Sequence, residues 1–261
     1  MTPTRCIILR AAGINCDLET EHAWSTVGVR ADRIHVNRLI ENPALLSEYQ
    51  ILTIPGGFSY GDDVAAGKIF ANQLRYRVHG ALQEFQATGK LVLGICNGFQ
   101  VLLKAGVLVR DAAAENPPAT LAWNASGKFE DRWVNLKVRG DRCVFLRGID
   151  ALYLPVAHAE GKFVTRDAAA LERLVAEGRI VLTYDGLSGS GGGVVPYPDN
   201  PNGSQANVAA VRDETGRVLG LMPHPERHIA RTHHPRWTRG EGTEPGDGLR
   251  VFENAAAYFR D

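Results

Sequence analysis

The stretch Leu91-Val92-Leu93-Gly94-Ile95-Cys96-Asn97-Gly98 decides the fold. Its first five residues are apolar without polar alternation, a pattern typical of a β-strand that is buried on both faces of a parallel sheet. A helix is predicted to follow at once, from Asn97 to about Ala105. A buried strand that passes directly into a helix is the repeating unit of α/β proteins.

The residues before this stretch repeat the same alternation of short apolar strands and amphipathic helices. Such alternation predicts a mainly parallel sheet with helices on both sides and right-handed crossovers. The predicted strands are Cys6–Arg10, Arg33–Val36 and Gln50–Ile54; the predicted helices are capped by Asp17 and run to about Val27, and from about Asp63 to His79 with a second turn through Phe85.

The second half of the chain is predicted to add a small antiparallel excursion and then to complete the sheet. We find no internal repeat and no linker, so residues 1–261 are expected to form one domain. Two long loops, at 185–204 and 229–248, are of a length that is usually functional or mobile. The excursion is predicted at Thr120–Asn124, Trp133–Val138 and Cys143–Leu146, followed by a helix at Asp167–Glu177, strands at Val181–Tyr184, Ala206–Val211 and Val218–Met222, and a helix at Leu249–Phe259.

Composition excludes several classes of protein. A chain of 261 residues with 44% hydrophobic and 22% charged residues is long and apolar enough to bury a sizeable core. Basic and acidic residues both number 29, so no overall field attracts nucleic acid or acidic lipid. No apolar run approaches the roughly 18 residues of a membrane span, and the start lacks a secretion signal. The four cysteines form no CxxC pair, so reduced thiols and a cytoplasmic location are expected.

Cys96 is the candidate nucleophile. Gly94-Ile95-Cys96-Asn97-Gly98 has the G-x-nucleophile-x-G spacing of a sharp strand-to-helix turn. The flanking glycines avoid collisions in that turn, and the turn exposes the sulfur at the carboxyl edge of the sheet. The helix N-terminus favours a thiolate there. A buried cysteine at a strand end, with glycines that only serve the turn, is the alternative.

His224 and Glu226 are the candidate base and its orienting carboxylate. They follow a predicted strand in Met222-Pro223-His224-Pro225-Glu226, and residues two apart in an extended segment project to the same side. A histidine can take the thiol proton and return it to a leaving group, while a carboxylate fixes its tautomer. The pattern His224-x-Glu226-x-His228 also hints at a metal, but no second group of ligands supports it, and no metal is predicted.

Backbone amides of Gly57 and Asn97 are the candidate oxyanion hole. Pro55-Gly56-Gly57 ends the third predicted strand, and a glycine pair lets the backbone approach a ligand closely. The N–H of Asn97, at the start of its helix, would supply the second donor. A simple tight turn is the alternative explanation for the glycine pair.

Together these segments resemble class I glutamine amidotransferases, and more narrowly the glutaminase component of phosphoribosylformylglycinamidine synthase. The resemblance implies a three-layer, flavodoxin-like α/β/α sandwich in which Cys96 attacks glutamine, forms a thioester and releases ammonia. It also implies that Gln100 contacts the backbone groups of glutamine. The narrower resemblance rests on Gly13-Ile14-Asn15-Cys16-Asp17, Gly57-Phe58-Ser59-Tyr60-Gly61-Asp62, His158-Ala159-Glu160-Gly161-Lys162-Phe163, Asn200-Pro201-Asn202-Gly203-Ser204 and Met222-Pro223-His224-Pro225-Glu226-Arg227.

The same resemblance implies a partner synthetase subunit that binds ATP, Mg²⁺ and formylglycinamide ribonucleotide and receives the ammonia. No cofactor is expected in this chain, which lacks a Gly-x4-Gly-Lys-Ser/Thr loop. A C-terminal extension of about residues 228–261 is similar to the end of fused single-chain synthases. The partner is therefore either a small synthetase with an accessory subunit or a larger one.

Three other functions are compatible with parts of this pattern. One is a class I amidotransferase that serves another synthetase, in pyrimidine, guanine or histidine synthesis. Another is a catalytically silent regulatory subunit that retains the fold. The third is a cysteine hydrolase or chaperone of related architecture, but such proteins tend to carry their histidine soon after the nucleophile, and residues 102–115 contain none.

Overall fold

A computed structural model of the chain describes residues 3–110, 117–186 and 193–260. Within these ranges the chain forms an α/β fold with a nine-stranded sheet and a separate two-stranded sheet. The elements are, in chain order, β1 (Arg5–Arg10), α1 (Asp17–Thr26), β2 (Arg30–His35), α2 (Val36–Glu41), β3 (Ile51–Ile54), α3 (Lys68–Arg77), α4 (His79–Ala87), β4 (Leu91–Ile95), α5 (Asn97–Lys104), β5 (Ala119–Ala122), β6 (Glu130–Val138), β7 (Ala151–His158), β8 (Lys162–Thr165), α6 (Ala168–Ala176), β9 (Ile180–Asp185), β10 (Val208–Arg212), β11 (Val218–Leu221) and α7 (Leu249–Ala257).

The large sheet has the strand order β2-β1-β3-β4-β11-β10-β9-β6-β7. The first five strands in this order run parallel, and the remaining pairings are antiparallel. The sheet is therefore mixed, with helices on both sides, and the predicted α/β class is confirmed. Because β3, β4 and β11 are parallel neighbours, the three segments that follow them meet at one edge of the sheet.

The C-terminal helix α7 is part of the core. Phe252 and Val251 are fully buried, and the Phe252 ring packs edge-on against Trp24 with centroids 4.8 Å apart. The indole Nε1–H of Trp24 donates in turn to Thr53 Oγ1 of β3 at 3.0 Å. Burial of one such aromatic side chain stabilises the fold by about 1.5–3 kcal/mol. The end of the chain, predicted as an extension, thus packs against α1 and contributes to the central core.

Asp17 and the segment Cys143–Leu146 are among the predicted elements that differ from the structure. Asp17 does not cap α1 but begins it, and its buried carboxylate pairs with Arg10 at 2.7 Å and Arg33 at 3.1 Å. Predicted strand Cys143–Leu146 is instead a 3₁₀ turn at Val144–Leu146 that packs under α7. A run of four apolar residues buries equally well as a strand or as a turn, so the pattern alone did not distinguish them.

The antiparallel half of the fold is more extensive than predicted. Strand β6 joins the large sheet through β9, and β7, which the sequence did not predict, pairs with it at the sheet edge. Pro155 lies inside β7, and a proline is tolerated in a strand at an edge, where its missing N–H breaks no ladder. Of the predicted excursion, only Thr120–Asn124 lies in the separate small sheet, as β5, where it pairs with β8. Trp133–Val138 belongs to β6 of the large sheet, and β8 was not predicted.

The two predicted loops carry short turns. Between Ile229 and Gly248 the chain forms 3₁₀ turns at Arg231–His233 and Trp237–Arg239. Of the loop predicted at 185–204, residues 187–192 lie outside the described residues; the part from 193 leads into a network of buried Asn200, Asn202 and Ser204. No helix in the described ranges is both long and apolar enough to cross a bilayer.

Candidate active site

Cys96 occupies a strained position between β4 and α5. Its φ of +51° and ψ of −102° lie outside the regions that non-glycine residues favour, and such strain costs about 1–3 kcal/mol. The turn is tight enough that a Cβ on Gly98 would lie 1.9 Å from the carbonyl oxygen of Ile54. Glycine at 98 is therefore a steric requirement of the turn that presents the sulfur.

The sulfur of Cys96 lies at the carboxyl end of the parallel strands. Its backbone N–H donates to Leu221 O of β11 at 2.8 Å, so the turn is fixed to the strand that precedes His224. The thiol is 3.7 Å from the carbonyl oxygen of Ala157 in β7. Strand β7, the last in the order of the sheet, therefore returns to cover the site. The first turn of α5 begins at the next residue, so its partial positive charge lies beside the sulfur.

His224 and Glu226 form a buried pair beside this thiol. Nδ1 of His224 lies 2.5 Å from Oε1 of Glu226, and the backbone N–H of His224 donates to Pro155 O at 2.9 Å. Burial disfavours the imidazolium, but the charge of Glu226 and the thiols of Cys96 and Cys16 outweigh it, so the pKa of His224 is raised well above its usual value. Among the described residues Nε2 has no hydrogen-bond partner. That nitrogen is available for proton transfer.

The amide N–H groups of Gly57 and Asn97 make no hydrogen bond with other described residues. Gly57 has φ of +142°, and a Cβ there would lie 2.8 Å from the backbone of Asn15, so the chain passes too closely for a side chain. The Asn97 side chain fixes the 59–62 turn, since Oδ1 accepts from Ser59 N at 3.3 Å and Nδ2 donates to Asp62 Oδ1 at 3.3 Å. The turn after β3 and the start of α5 are thereby held together.

Gln100 is engaged by the protein at both ends of its amide. Nε2 donates to the carbonyl oxygen of Glu160 at 2.6 Å, and Oε1 accepts from Nδ2 of Asn97 at 2.8 Å. The side chain is buried and does not line the cavity beside Cys96. These two bonds tie α5 to the segment after β7. The sequence-based assignment of Gln100 to glutamine binding stays a prediction.

A cavity of about 210 Å³ opens in front of the Cys96 sulfur. Its volume is below the range of about 300–1,000 Å³ that is typical of drug-sized ligands, and it suits a small one. A larger cavity of about 730 Å³ lies near Thr183 and Val175 but contains none of the predicted catalytic residues, so chemistry favours the smaller one. The smaller cavity is lined by Asn15, Cys16, Gly57, Phe58, Cys96, Phe129, Asp131, Ala157, His224 and Arg227.

Cys16 and Arg227 are site residues that reasoning from chemistry overlooked, although both lie in the segments that carry the resemblance. Nη2 of Arg227 donates to the Cys16 sulfur at 3.1 Å, and Nε donates to Glu19 at 2.8 Å. By distance, a metal could be held by Cys16, Glu19, His224 and Glu226, whose ligand atoms lie within 4.8 Å of one another. The Arg227 guanidinium already contacts two of these four, and a cation among the ligands disfavours a metal ion.

His158, at the end of β7, is a neutral buried histidine behind the site. Burial, together with the charge of His224, lowers the pKa of His158 to about 3. Nδ1 of His158 lies 3.1 Å from Oδ1 of Asn124. The next segment reaches back under the site, because the Glu160 carboxylate accepts the N–H of Ala66 at 3.2 Å. The predicted stretch His158–Phe163 thus supports the loop that precedes α3.

Comparison with known proteins assigns this arrangement to a family. Residues 3–259 match the CobB/CobQ-like glutamine amidotransferase domain. A protein of Dehalococcoides mccartyi, named phosphoribosylformylglycinamidine synthase subunit PurQ, is 41% identical over 261 residues, which cover 100% of this chain and 99% of that protein. A protein of the same name from Archaeoglobus fulgidus is 38% identical, over 97% and 96% of the two chains. Among solved structures, a chain of PurLQS from Thermotoga maritima matches with a TM-score of 0.74 and 29% identity, over 99% of this chain and 100% of that one.

Proposed function

The chain belongs to the CobB/CobQ-like glutamine amidotransferase family, and we propose that it is the glutaminase component of phosphoribosylformylglycinamidine synthase. In this role it hydrolyses glutamine and supplies ammonia for the ATP-dependent amidation of formylglycinamide ribonucleotide. The observation that carries the proposal is the convergence of Cys96, His224 and Glu226 on one small cavity. The names of relatives that match over nearly the whole chain favour this synthase over another amidotransferase.

The first half of the reaction forms a thioester. The raised pKa of His224 favours an imidazolium at neutral pH, with the proton supplied by the Cys96 thiol. The sulfur attacks the carboxamide carbon of glutamine, and the oxyanion accepts hydrogen bonds from the amides of Gly57 and Asn97. As the C–N bond breaks, Nε2 of His224 donates its proton to the nitrogen, and ammonia leaves.

The second half releases glutamate. Neutral His224 takes a proton from a water molecule, which attacks the thioester carbon. The C–S bond breaks, glutamate departs, and the proton returns to the Cys96–His224 pair. Glu226 holds Nδ1 of His224 throughout, which fixes the tautomer and stabilises each imidazolium that forms. No step needs a cofactor in this chain.

The ammonia is consumed by a synthetase subunit, which binds ATP, Mg²⁺ and the ribonucleotide. Relatives that are named as a subunit, and the solved relative from a PurLQS assembly, support this arrangement. The proposed partner is a synthetase that works with a small accessory subunit. The proposal treats the chain as one catalytic domain, and the packing of α7 into the same core as β1 and β3 supports this.

The test uses the assembled synthase with either glutamine or free ammonium as the nitrogen donor. Cys96→Ala is expected to abolish glutamine-dependent product while ammonium-dependent product stays at the wild-type level. The matched control is Cys143→Ala, which removes a buried thiol next to Gly216, at the end of β11 opposite to His224, and is expected to retain both activities. Retained glutamine use by Cys96→Ala would refute the proposed role, and so would loss of both activities from a variant that still assembles.

A further inference from the structure

Two charged side chains of opposite sign line the cavity beside Cys96, and the steps proposed above use neither of them. Asp131 lies on β6, directly across from Ala157, whose carbonyl oxygen contacts the Cys96 sulfur. Arg227 follows the catalytic Glu226 and lines the same cavity. Besides the reacting carboxamide, free glutamine carries one positive α-ammonium and one negative α-carboxylate.

We infer that Asp131 and Arg227 form the specificity clamp of the site, in which Asp131 binds the α-ammonium of the substrate and Arg227 binds its α-carboxylate. The inference rests on the proposed function, because it concerns how the glutaminase site recognises its substrate. It adds two charged contacts to the one predicted for Gln100, whose amide is bound to Asn97 and Glu160 in this structure.

The carboxylate of Asp131 is available to bind a ligand. The residue is exposed, and its carboxylate makes no hydrogen bond or ion pair with any residue in the described ranges, although the carboxylate of its neighbour on the strand, Glu130, is paired with Arg132. A carboxylate on the wall of a small cavity, without a partner among the residues that the structure describes, presents its charge to whatever enters. A primary ammonium is the complementary group of an amino acid.

Arg227 is held in place yet retains donors. Its Nε is bound to Glu19 and one Nη to the Cys16 sulfur, so the guanidinium plane is fixed. The Nη1 N–H groups make no hydrogen bond within the described part of the chain, and the side chain is about one-third exposed. A fixed guanidinium with free N–H groups is suited to a carboxylate.

The aromatic pair Phe58 and Phe129 also lines this cavity. Their ring centroids are 6.4 Å apart, and the residues are 43% and 49% exposed. Apolar walls around a few placed charges are typical of sites for small molecules. The methylene groups of glutamine would lie against these rings while its two charged groups reach Asp131 and Arg227. A peptide-bound glutamine, which lacks both charges, would lose both contacts.

The test measures how well ligands protect Cys96 of the full-length chain from alkylation by iodoacetamide, which itself carries no α-amino acid group. The ligands are L-glutamine, 4-carbamoylbutanoate, which lacks the α-ammonium, and 4-aminobutanamide, which lacks the α-carboxylate. The variants are Asp131→Asn and Arg227→Gln. The control is Asp150→Asn, an exposed carboxylate that precedes β7 at the end opposite to Ala157 and does not line the cavity.

Asp131→Asn is expected to raise the half-protecting concentration of glutamine at least about tenfold, the effect of losing a charge-assisted hydrogen bond. The half-protecting concentration of 4-carbamoylbutanoate should change by no more than about twofold, because that ligand has no ammonium for Asp131 to bind. Arg227→Gln should raise the half-protecting concentration of glutamine in the same way, but leave that of 4-aminobutanamide unchanged. In Asp150→Asn, each ligand should protect Cys96 as well as it does in the wild type.

The clamp would be overturned if a variant lost protection equally by glutamine and by the ligand that lacks the group it binds. It would also be overturned if glutamine protected both variants as well as it protects the wild type. The alkylation rate without ligand reports whether the Cys96–His224 pair is intact, so a damaged site is recognised separately. If glutamine failed to protect wild-type Cys96 at all, the proposed function itself would fail. If glutamine protected the wild type and both variants equally, the clamp would be refuted and the proposed function would stand.

Discussion

Replacement of Glu226 by Gln tests the catalytic pair with little change in shape. The carboxylate oxygen lies 2.5 Å from Nδ1 of His224, and both side chains are almost completely buried. Unit charges about 4 Å apart attract by about 4 kcal/mol at the effective dielectric of such sites. Since each 1.36 kcal/mol is a factor of ten in rate, loss of the charge can lower kcat by about 10²–10³. The amide can still accept the Nδ1 proton, so the fold should survive.

The same variant has a signature in its pH profile. Glu226 raises the pKa of His224, so its removal must lower that pKa. The imidazolium is the acid that protonates ammonia, and it disappears above the pKa. The alkaline limb of the kcat profile should therefore move to lower pH in Glu226→Gln. Glutamine turnover by the assembled synthase is measured across pH, with Glu253→Gln on the exposed face of α7 as the control. An unmoved alkaline limb, or unchanged kcat, would refute the reasoning.

Two further predictions concern stability. Gly98→Ala places a Cβ against Ile54 O and should lower the free energy of unfolding, measured by urea titration, by about 1–3 kcal/mol or more. The control is Gly80→Ala, because a Cβ at Gly80 meets open space. Equal stabilities of the two variants would contradict the steric account. Phe252→Ala should lower the free energy of unfolding by about 3–5 kcal/mol, because it opens a cavity beside Trp24. Tyr76→Ala, at an exposed position, should lower it little. An unchanged melting temperature for Phe252→Ala would show that α7 is not part of the cooperative core.

The sequence predicted the elements whose signals are local. Strand β4 is a continuous apolar run that ends at a glycine-flanked cysteine, and its bounds follow from that pattern. The convergence of Cys96 with His224 required one assumption, that the strands before them are parallel neighbours. The register of β4 and β11, with Ile95 beside Leu221, meets that condition.

What the sequence did not predict depends on contacts between distant segments. Strand β7 contains Pro155, which argues against a strand unless the edge position is known. Gln100 has the helical spacing to face the same way as Cys96, but its hydrogen bond to the carbonyl oxygen of Glu160 joins residues 60 apart in the chain and could not be read from the sequence. Asp131 enters the cavity only because β6 pairs with β7 in one register, and no local pattern fixes that register.

The central claim is that one thiol among four is activated by the imidazole of His224. The most direct measurement is peptide mapping after exposure of the chain to less than one equivalent of iodoacetamide. Burial raises the pKa of Cys143 to about 12 and also raises the pKa of Cys6 and of Cys16, which disfavours their thiolates. The account predicts that the label is found on Cys96 and that His224→Ala slows this labelling at neutral pH. Preferential labelling of Cys16, or labelling of Cys96 at the same rate without His224, would contradict it.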